Sequence, residues 1–368
     1  MTELKGIRGW RVRSLSTDPA ASAVAGGTWA TGGSLNTARQ AFNVTNAGTQ
    51  TASFGVGGYN NSVNLAIHEQ YNGTAWTEAA DLNTVRSNGF GGGSQSAAWA
   101  GIGMTGTAPV ATNTTLTELW NGSAWTEVND ANTARRHGGA FGSTTQGLAV
   151  SGFTAPGPRT PAVEHWDGTN WTEVSELNTP RDQSAGLGTV YTAGLVAAGR
   201  TPTIVAVVEE WNGSAWTEIA DVNTAREAAK GSSSSVSDGI IFGGVTATPA
   251  FVGNTEYWNG TSWTELSDLG TARGASGSGG GSSSSALAFG GYNPSVISTT
   301  EEWTKIPEAV ARSSTAVGTP DDIIPTFERF MDAGVNHFVI RFWGKNYFGS
   351  IDKFASHVMP ALREKAKQ

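Results

Sequence analysis

Apolar and polar positions along the chain recur in blocks, and one block shows the pattern. In Thr117 to Gly152, Glu118-Leu119-Trp120 alternates as a half-buried strand does, Asn121-Gly122 marks a turn, and Trp125-Thr126-Glu127 alternates again. This predicts an antiparallel hairpin in which the Asn-Gly pair takes positive φ. A polar connector, Asp130 to Arg135, comes next. A Gly-rich strand around Gly138 to Phe141 and an apolar one over Gly147-Leu148-Ala149-Val150-Ser151-Gly152 complete the block. Each block is expected to hold four strands, with its Trp residues facing each other across sheets.

The block returns along the chain. Trp29, Trp76, Trp125, Trp171, Trp216 and Trp263 are each followed by Arg39, Arg86, Arg135, Arg181, Arg226 and Arg273, with Arg-to-Arg spacings of 47, 49, 46, 45 and 47. A period of this size, rich in Gly and Trp, belongs to β-propellers, whose small sheets bury their faces only against neighbouring copies. Gly-rich inner strands are expected around Phe54, Ala98, Ala149, Ala197, Ile241 and Ala288, and Glu-x-aromatic strands at Glu69, Glu118, Glu164, Glu209, Glu256 and Glu301. Outer Trp-Thr strands match that number only when Trp29 is included, because Trp303 runs directly into Thr304-Lys305-Ile306-Pro307. The expected fold is all-β: a six-bladed propeller over 27–312, closed by the N-terminal segment Gly27-Thr28-Trp29 so that no sheet edge stays free. Residues 1–26 form an N-terminal arm.

The Gly-Gly strand ends at Gly57-Gly58, Gly243-Gly244 and Gly290-Gly291, with the Glu-x-aromatic strand, the Trp-Thr strand and the Arg, resemble kelch-type repeats. The doublet is altered at Ser151-Gly152 and Ala198-Gly199. The phrasing Trp-Asn-Gly-Ser-Ala-Trp-Thr-Glu with Asn-Thr-Ala-Arg looks like kelch-like proteins of marine bacteriophages. The opening Lys5-Gly6-Ile7-Arg8-Gly9-Trp10 with Leu15-Ser16-Thr17-Asp18-Pro19 is similar to the starts of phage tail-fibre-like proteins. These resemblances imply a kelch-like propeller on a virion or tail, with the arm meeting other virion proteins.

From 313 to 368 the pattern changes. Thr319-Pro320-Asp321-Asp322 has the form of a helix start, with Thr as N-cap, Pro in the first turn and acids at the positive end of the dipole. Ile323, Phe327, Phe330 and Met331 follow at helical spacing, Gly334 ends the helix, His337 to Phe342 is a buried strand, and Ile351 to Lys365 is a second amphipathic helix. The expectation is a small α-β-α appendage. Gly318-Thr319-Pro320-Asp321, Asp332-Ala333-Gly334-Val335-Asn336-His337-Phe338 and Val358-Met359-Pro360-Ala361-Leu362-Arg363 resemble the C-terminus of luciferase-like flavin-dependent monooxygenases. The resemblance implies the end of a (β/α)₈ barrel, and one such unit cannot supply a site built from many loops. No catalytic or flavin-binding residue carries over.

Composition narrows the functional classes. There is no cysteine, which excludes disulfides, thiolate nucleophiles and the Cys–Tyr cofactor of kelch-type copper oxidases. A net charge of −8 without a dense Lys/Arg run argues against nucleic acid, and no apolar run is long enough to cross a bilayer. Without a secretory signal, the expected location is virion or cytoplasm. His68, His137, His165, His337 and His357 lack metal-ligand spacing, so no cofactor or metal is expected. The repeated Arg residues either line a channel that takes an anionic ligand or pair with the repeated Glu; equal numbers favour pairing. The Trp residues are read as core rather than sugar platforms.

Variation between repeats marks the candidate binding face. It concentrates between the second and third strands, at Tyr59, Asn60, Asn61, Met104, Phe153, Arg159, Arg200, Phe251, Tyr292 and Asn293. The expected function is a non-enzymatic interaction or structural module, phage-associated, binding a surface glycan or protein. The alternative is an enzyme, either a propeller hydrolase or a flavin-dependent monooxygenase-related fusion.

Overall fold

The computed structural model describes residues 26–43, 48–106, 112–247 and 250–305. The expected arm, apart from Gly26, and the α-β-α segment over 313–368 lie outside them. All regular structure among the described residues is strand.

Six antiparallel sheets follow one another along Gly27–Lys305, one per repeat. Blade 2 is representative, with Phe90–Ser94, Ala97–Gly101, Thr117–Trp120 and Trp125–Val128 in order from axis to rim. Blades 3, 4 and 5 begin at Gly139–Gly142, Ala185–Val190 and Lys230–Ser235 and repeat that order. In blade 1 three strands are described, Ser53–Val56, His68–Tyr71 and Trp76–Ala79. Residues 44–47, which precede them, lie outside the described set.

Blade 6 confirms the expected closure. Its own strands are Gly277–Gly279, Ser285–Phe289 and Thr300–Lys305, and its outermost strand is Gly27–Gly32 from the other end of the chain. Trp29 stands directly opposite Trp303, its indole N–H donates to Thr255 Oγ1 at 3.0 Å in blade 5, and its ring meets Phe242 edge-on at 5.0 Å. The chain ends are thereby joined in one sheet, and the ring has no unpaired edge at the seam.

Three expectations change. In blades 2 to 6 the apolar strands around Ala98, Ala149, Ala197, Ile241 and Ala288 stand second from the axis, while the strand around Phe54 is the first one described in blade 1. The innermost strands are the Gly- and Ser-rich ones before them. Crowding at the axis explains this: a Cβ at Gly92 would lie 2.6 Å from the Gly142 carbonyl of the next blade, and one at Gly186 would lie 2.5 Å from the Ala140 amide nitrogen. The Trp pairs lie within one sheet, not across two. Trp120 and Trp125 are cross-strand neighbours with ring centroids 5.5 Å apart, and the pairs Trp166–Trp171 and Trp211–Trp216 repeat that geometry. At the Asn-Gly hairpins only Gly has positive φ, +94° at Gly122, while Asn121 Oδ1 accepts the Ser123 and Ala124 amides. The Asn therefore acts as an Asx cap rather than as a second left-handed residue.

The repeated Arg and Glu pair, as equal numbers suggested. Arg39–Glu69, Arg86–Glu118, Arg135–Glu164, Arg181–Glu209, Arg226–Glu256 and Arg273–Glu301 are all buried ion pairs. Arg135 is representative: beyond Glu164 it donates to the Ser151, Thr133 and Ala149 carbonyls at 2.9–3.0 Å. Glu164 also accepts the backbone amides of Asn132 and Thr133, at 2.6 and 3.2 Å. One carboxylate thus organises a whole Asn-Thr-x-Arg connector. Burial pushes each guanidinium's pKa down while its Glu opposes that shift. Removing one member of such a pair costs about 3–5 kcal/mol, since the other is left charged and dry.

Candidate binding face

The connectors and the loops between second and third strands share one end of the propeller, and the loop starts from the same backbone device in every blade. Two consecutive residues take positive φ: Gly57-Gly58, Ile102-Gly103, Ser151-Gly152, Ala198-Gly199, Gly243-Gly244 and Gly290-Gly291. The doublet's departures from Gly-Gly therefore keep its conformation, although a non-Gly residue there carries strain of about 1–2 kcal/mol. The second member's amide donates to the carbonyl of the next blade's Arg, as from Gly58 to Arg86 and from Gly291 to Arg39, both at 2.9 Å. The next residue pairs with the position after its own blade's Arg: Tyr59 with Gln40, Met104 with Ser87, Phe153 with Arg136, Arg200 with Asp182, Val245 with Glu227 and Tyr292 with Gly274.

The ten predicted loop residues distribute over this end as follows. Tyr59, Met104, Phe153, Arg200 and Tyr292 occupy that equivalent first position and are half-buried. Asn60 and Asn61 shape their own loop: Asn60 Oδ1 accepts the Ser62 and Val63 amides, and Asn61, at φ +72°, accepts from Gln40 Nε2. Asn293 Nδ2 donates to the Ala272 carbonyl at 2.6 Å. Arg159 pairs with Asp182 at 2.6 Å, and Arg200 with Glu227 at 3.2 Å. Phe251 meets Tyr292 edge-on at 5.5 Å.

Several of these contacts run from one blade's loop to the next. Asn64 reaches the Met104 and Gly106 carbonyls, and Asn113 joins Phe153 O to Arg136. Arg159 and Arg200 then carry the chain through blades 3, 4 and 5 to the Phe251–Tyr292 contact at blade 6. Arg136 also lies over the Phe153 ring at 5.1 Å. The result is a belt of mostly half-buried aromatic, amide and paired ionic groups that runs from blade 1 to blade 6. Such a surface offers rings for stacking and amides for hydrogen bonding with little ordering cost on binding.

Inside the belt lies an axial cavity of about 50 Å³, which sequence reasoning missed. Its wall includes Asn88, His137, Gln183 and Lys230. Burial pushes His137 down to about 3, with positive charge on Arg136 and Lys230 adding to the effect, and burial pushes Lys230 down to about 8. The signal was present in the register: the residue two after each repeated Arg reads Ala41, Asn88, His137, Gln183, Ala228, Ala275, a variable position just past a constant connector. The opposite mouth, formed by the turns after the innermost strands, opens into a cavity of about 300 Å³ lined by Gly92, Ser94, Phe141, Ser143, Thr144 and Thr189 among others.

Among the described residues no three His, Asp or Glu gather to hold a metal ion, and no helix is long and apolar enough to cross a membrane. The segment behind the flavin-related alternative lies outside the described residues. The sheet order, closure and axial arrangement define a six-bladed β-propeller. No family model and no curated protein matches the chain. Among solved structures, that of YjhT is similar with a TM-score of 0.60 at 11% identity, covering 73% of this chain and 95% of that one. At this identity the likeness supports the fold.

Proposed function

We propose that the chain is a non-catalytic interaction module that holds a protein or glycan surface at the loop end of the propeller. The belt of loop-to-loop contacts carries this reading: its side chains differ from blade to blade, whereas the repeated Arg, Glu and Trp are consumed in the core. Constant residues thus build the scaffold, and variable residues build the loop surface at this end. The resemblance of the repeats to kelch-like phage proteins supports a kelch-type propeller carried on a virion, where the ligand would be a host surface glycan or protein. Stacking on Tyr59, Phe153, Phe251 and Tyr292 and hydrogen bonds to neighbouring amides suit sugar rings.

Loop exchange tests this. Replacing 153–159 by a short Gly-Asn turn, together with Asp182→Asn, removes Phe153 and Arg159 without leaving a buried carboxylate unpaired. Binding of the full chain to host cells and to their purified surface polysaccharide is then measured by biolayer interferometry, with melting recorded in parallel. A loss of binding of at least tenfold with melting within a few degrees of the parent is expected. Unchanged binding to both preparations contradicts the assignment.

A further inference from the structure

The cavity on the propeller axis has an unusual wall. Ala41, Asn88, His137, Gln183, Ala228 and Ala275 all take positive φ, between 54° and 64°. The amide of each donates to the carbonyl of the one before it, at 2.5–2.9 Å, and Ala41 closes the circle by donating to Ala275. Six amides and six carbonyls therefore satisfy one another, and the ring presents no free donor to a ligand. The electrostatic character of the cavity falls to its side chains.

Among these, Lys230 stands out. It opens the innermost strand of blade 5, four residues after Arg226, where the other blades carry Asn43, Phe90, Gly139, Ala185 and Gly277. Nothing in the repeat requires a cation there. Its ammonium makes no hydrogen bond or ion pair with any described residue, and no carboxylate lines the cavity. The nearest acid with a bond to the wall is Glu227, which meets Gln183 Nε2 at 3.4 Å and is already engaged by Arg200. Asn88 Nδ2, bonded to Ser87 Oγ at 3.0 Å, keeps a second hydrogen. Lys230 is half-buried, and a cation facing a narrow cavity that no carboxylate lines leaves a focused positive potential there, which a counter-ion at hydrogen-bond distance offsets.

We propose that the axial cavity binds one small monovalent anion of halide size, held by Lys230 and assisted by side-chain N–H donors of the ring. The volume, about 50 Å³, accommodates a particle close to water in size and not a sugar or a peptide. This site is independent of the loop-end reading, because it uses none of the ten loop residues.

The probe is bromide. Melting of the full chain is compared in potassium bromide and in potassium gluconate at equal ionic strength, which cancels general screening. Binding to the folded state alone raises the melting temperature by mass action, and the wild type is expected to melt roughly 2 °C or more higher in bromide. Lys230→Met removes the charge at similar length and is expected to abolish the difference; Lys230→Gln serves if the first variant does not fold. An equal bromide response in variant and wild type, or none in the wild type, overturns the proposal. Anomalous diffraction from a bromide-soaked wild-type crystal needs no variant. A peak in the axial cavity beside Lys230 supports the site, and an empty cavity beside ordered bromide elsewhere overturns it.

Discussion

His68 shows how one residue departs from the repeat and still serves it. The outer Trp of each blade donates its indole N–H to the preceding blade. Trp171, Trp29 and Trp76 donate to the threonines Thr117, Thr255 and Thr300, at 2.9–3.0 Å. Where Val163 and Val208 replace that threonine, Trp216 and Trp263 turn to the Ser175 and Ala220 carbonyls. In blade 1 the acceptor is His68 Nδ1, 3.2 Å from Trp125 Nε1 and 3.4 Å from the Ala80 carbonyl. Burial pushes the imidazole down to about 4, opposed by the Ala80 carbonyl and aided by Arg39. Between pH 6.5 and about 4 the unfolded chain therefore binds a proton that the folded one refuses, so stability falls as pH falls through this window. His68→Thr restores the acceptor of blades 2, 5 and 6 without the titration. Urea unfolding at pH 7.5 and 4.5 should show the wild type losing about 2–3 kcal/mol more than the variant. His137 is common to both proteins and cancels. Equal losses would contradict the assignment.

At the scale of the element, the connector is the unit that ties a blade together, and one of the six is incomplete. Asn36, Asn83, Asn132, Asn178 and Asn223 each donate through Nδ2 to the carbonyl of their blade's outer Trp, at 2.9–3.3 Å. Blade 6 has Gly270 at that position, so its outer strand, the closing segment with Trp29, has no such clamp. A Cβ at Gly270 would stand 3.1 Å from Glu301 Oε2, a contact that the five Asn connectors accommodate against the same Glu. Gly270→Asn is expected to add a hydrogen bond to Trp29 and to stabilise the ring by about 1 kcal/mol, read as a higher urea midpoint at unchanged m-value. A lower midpoint would mean that the seam has no room for the side chain. The connectors, Trp strands and Glu strands were legible in the sequence because six copies do one job with one set of side chains. The innermost strands were not: Gly277–Gly279 and the Ser-rich part of Lys230–Ser235 are shaped by crowding at the axis and show no apolar alternation.

For the whole molecule, closure is made three times over. It is made at the rim by Gly27–Gly32 on Thr300–Lys305, midway by the Gly291 amide on the Arg39 carbonyl, and at the axis by Ala41 on Ala275. Only the first was readable in advance, from a strand count that needed Trp29. The other two are backbone hydrogen bonds, to which side-chain identity contributes little. The loop end stood out in the sequence as variation, whereas the axial cavity behind it did not, since Asn88, His137, Gln183 and Lys230 come together only when the ring is closed. Everything at the loop end depends on that closure. Because the chain has no cysteine, a single engineered pair reports on it without background. Thr28 and Thr304 are exposed and directly opposed across the seam, at the spacing that suits a disulfide. In the double variant Thr28→Cys, Thr304→Cys, mild oxidation should give a quantitative intramolecular cross-link on a non-reducing gel, with a raised melting temperature that reductant reverses. Thiols that stay free in the folded protein, or that form only dimers, would contradict a ring closed by its N-terminal strand.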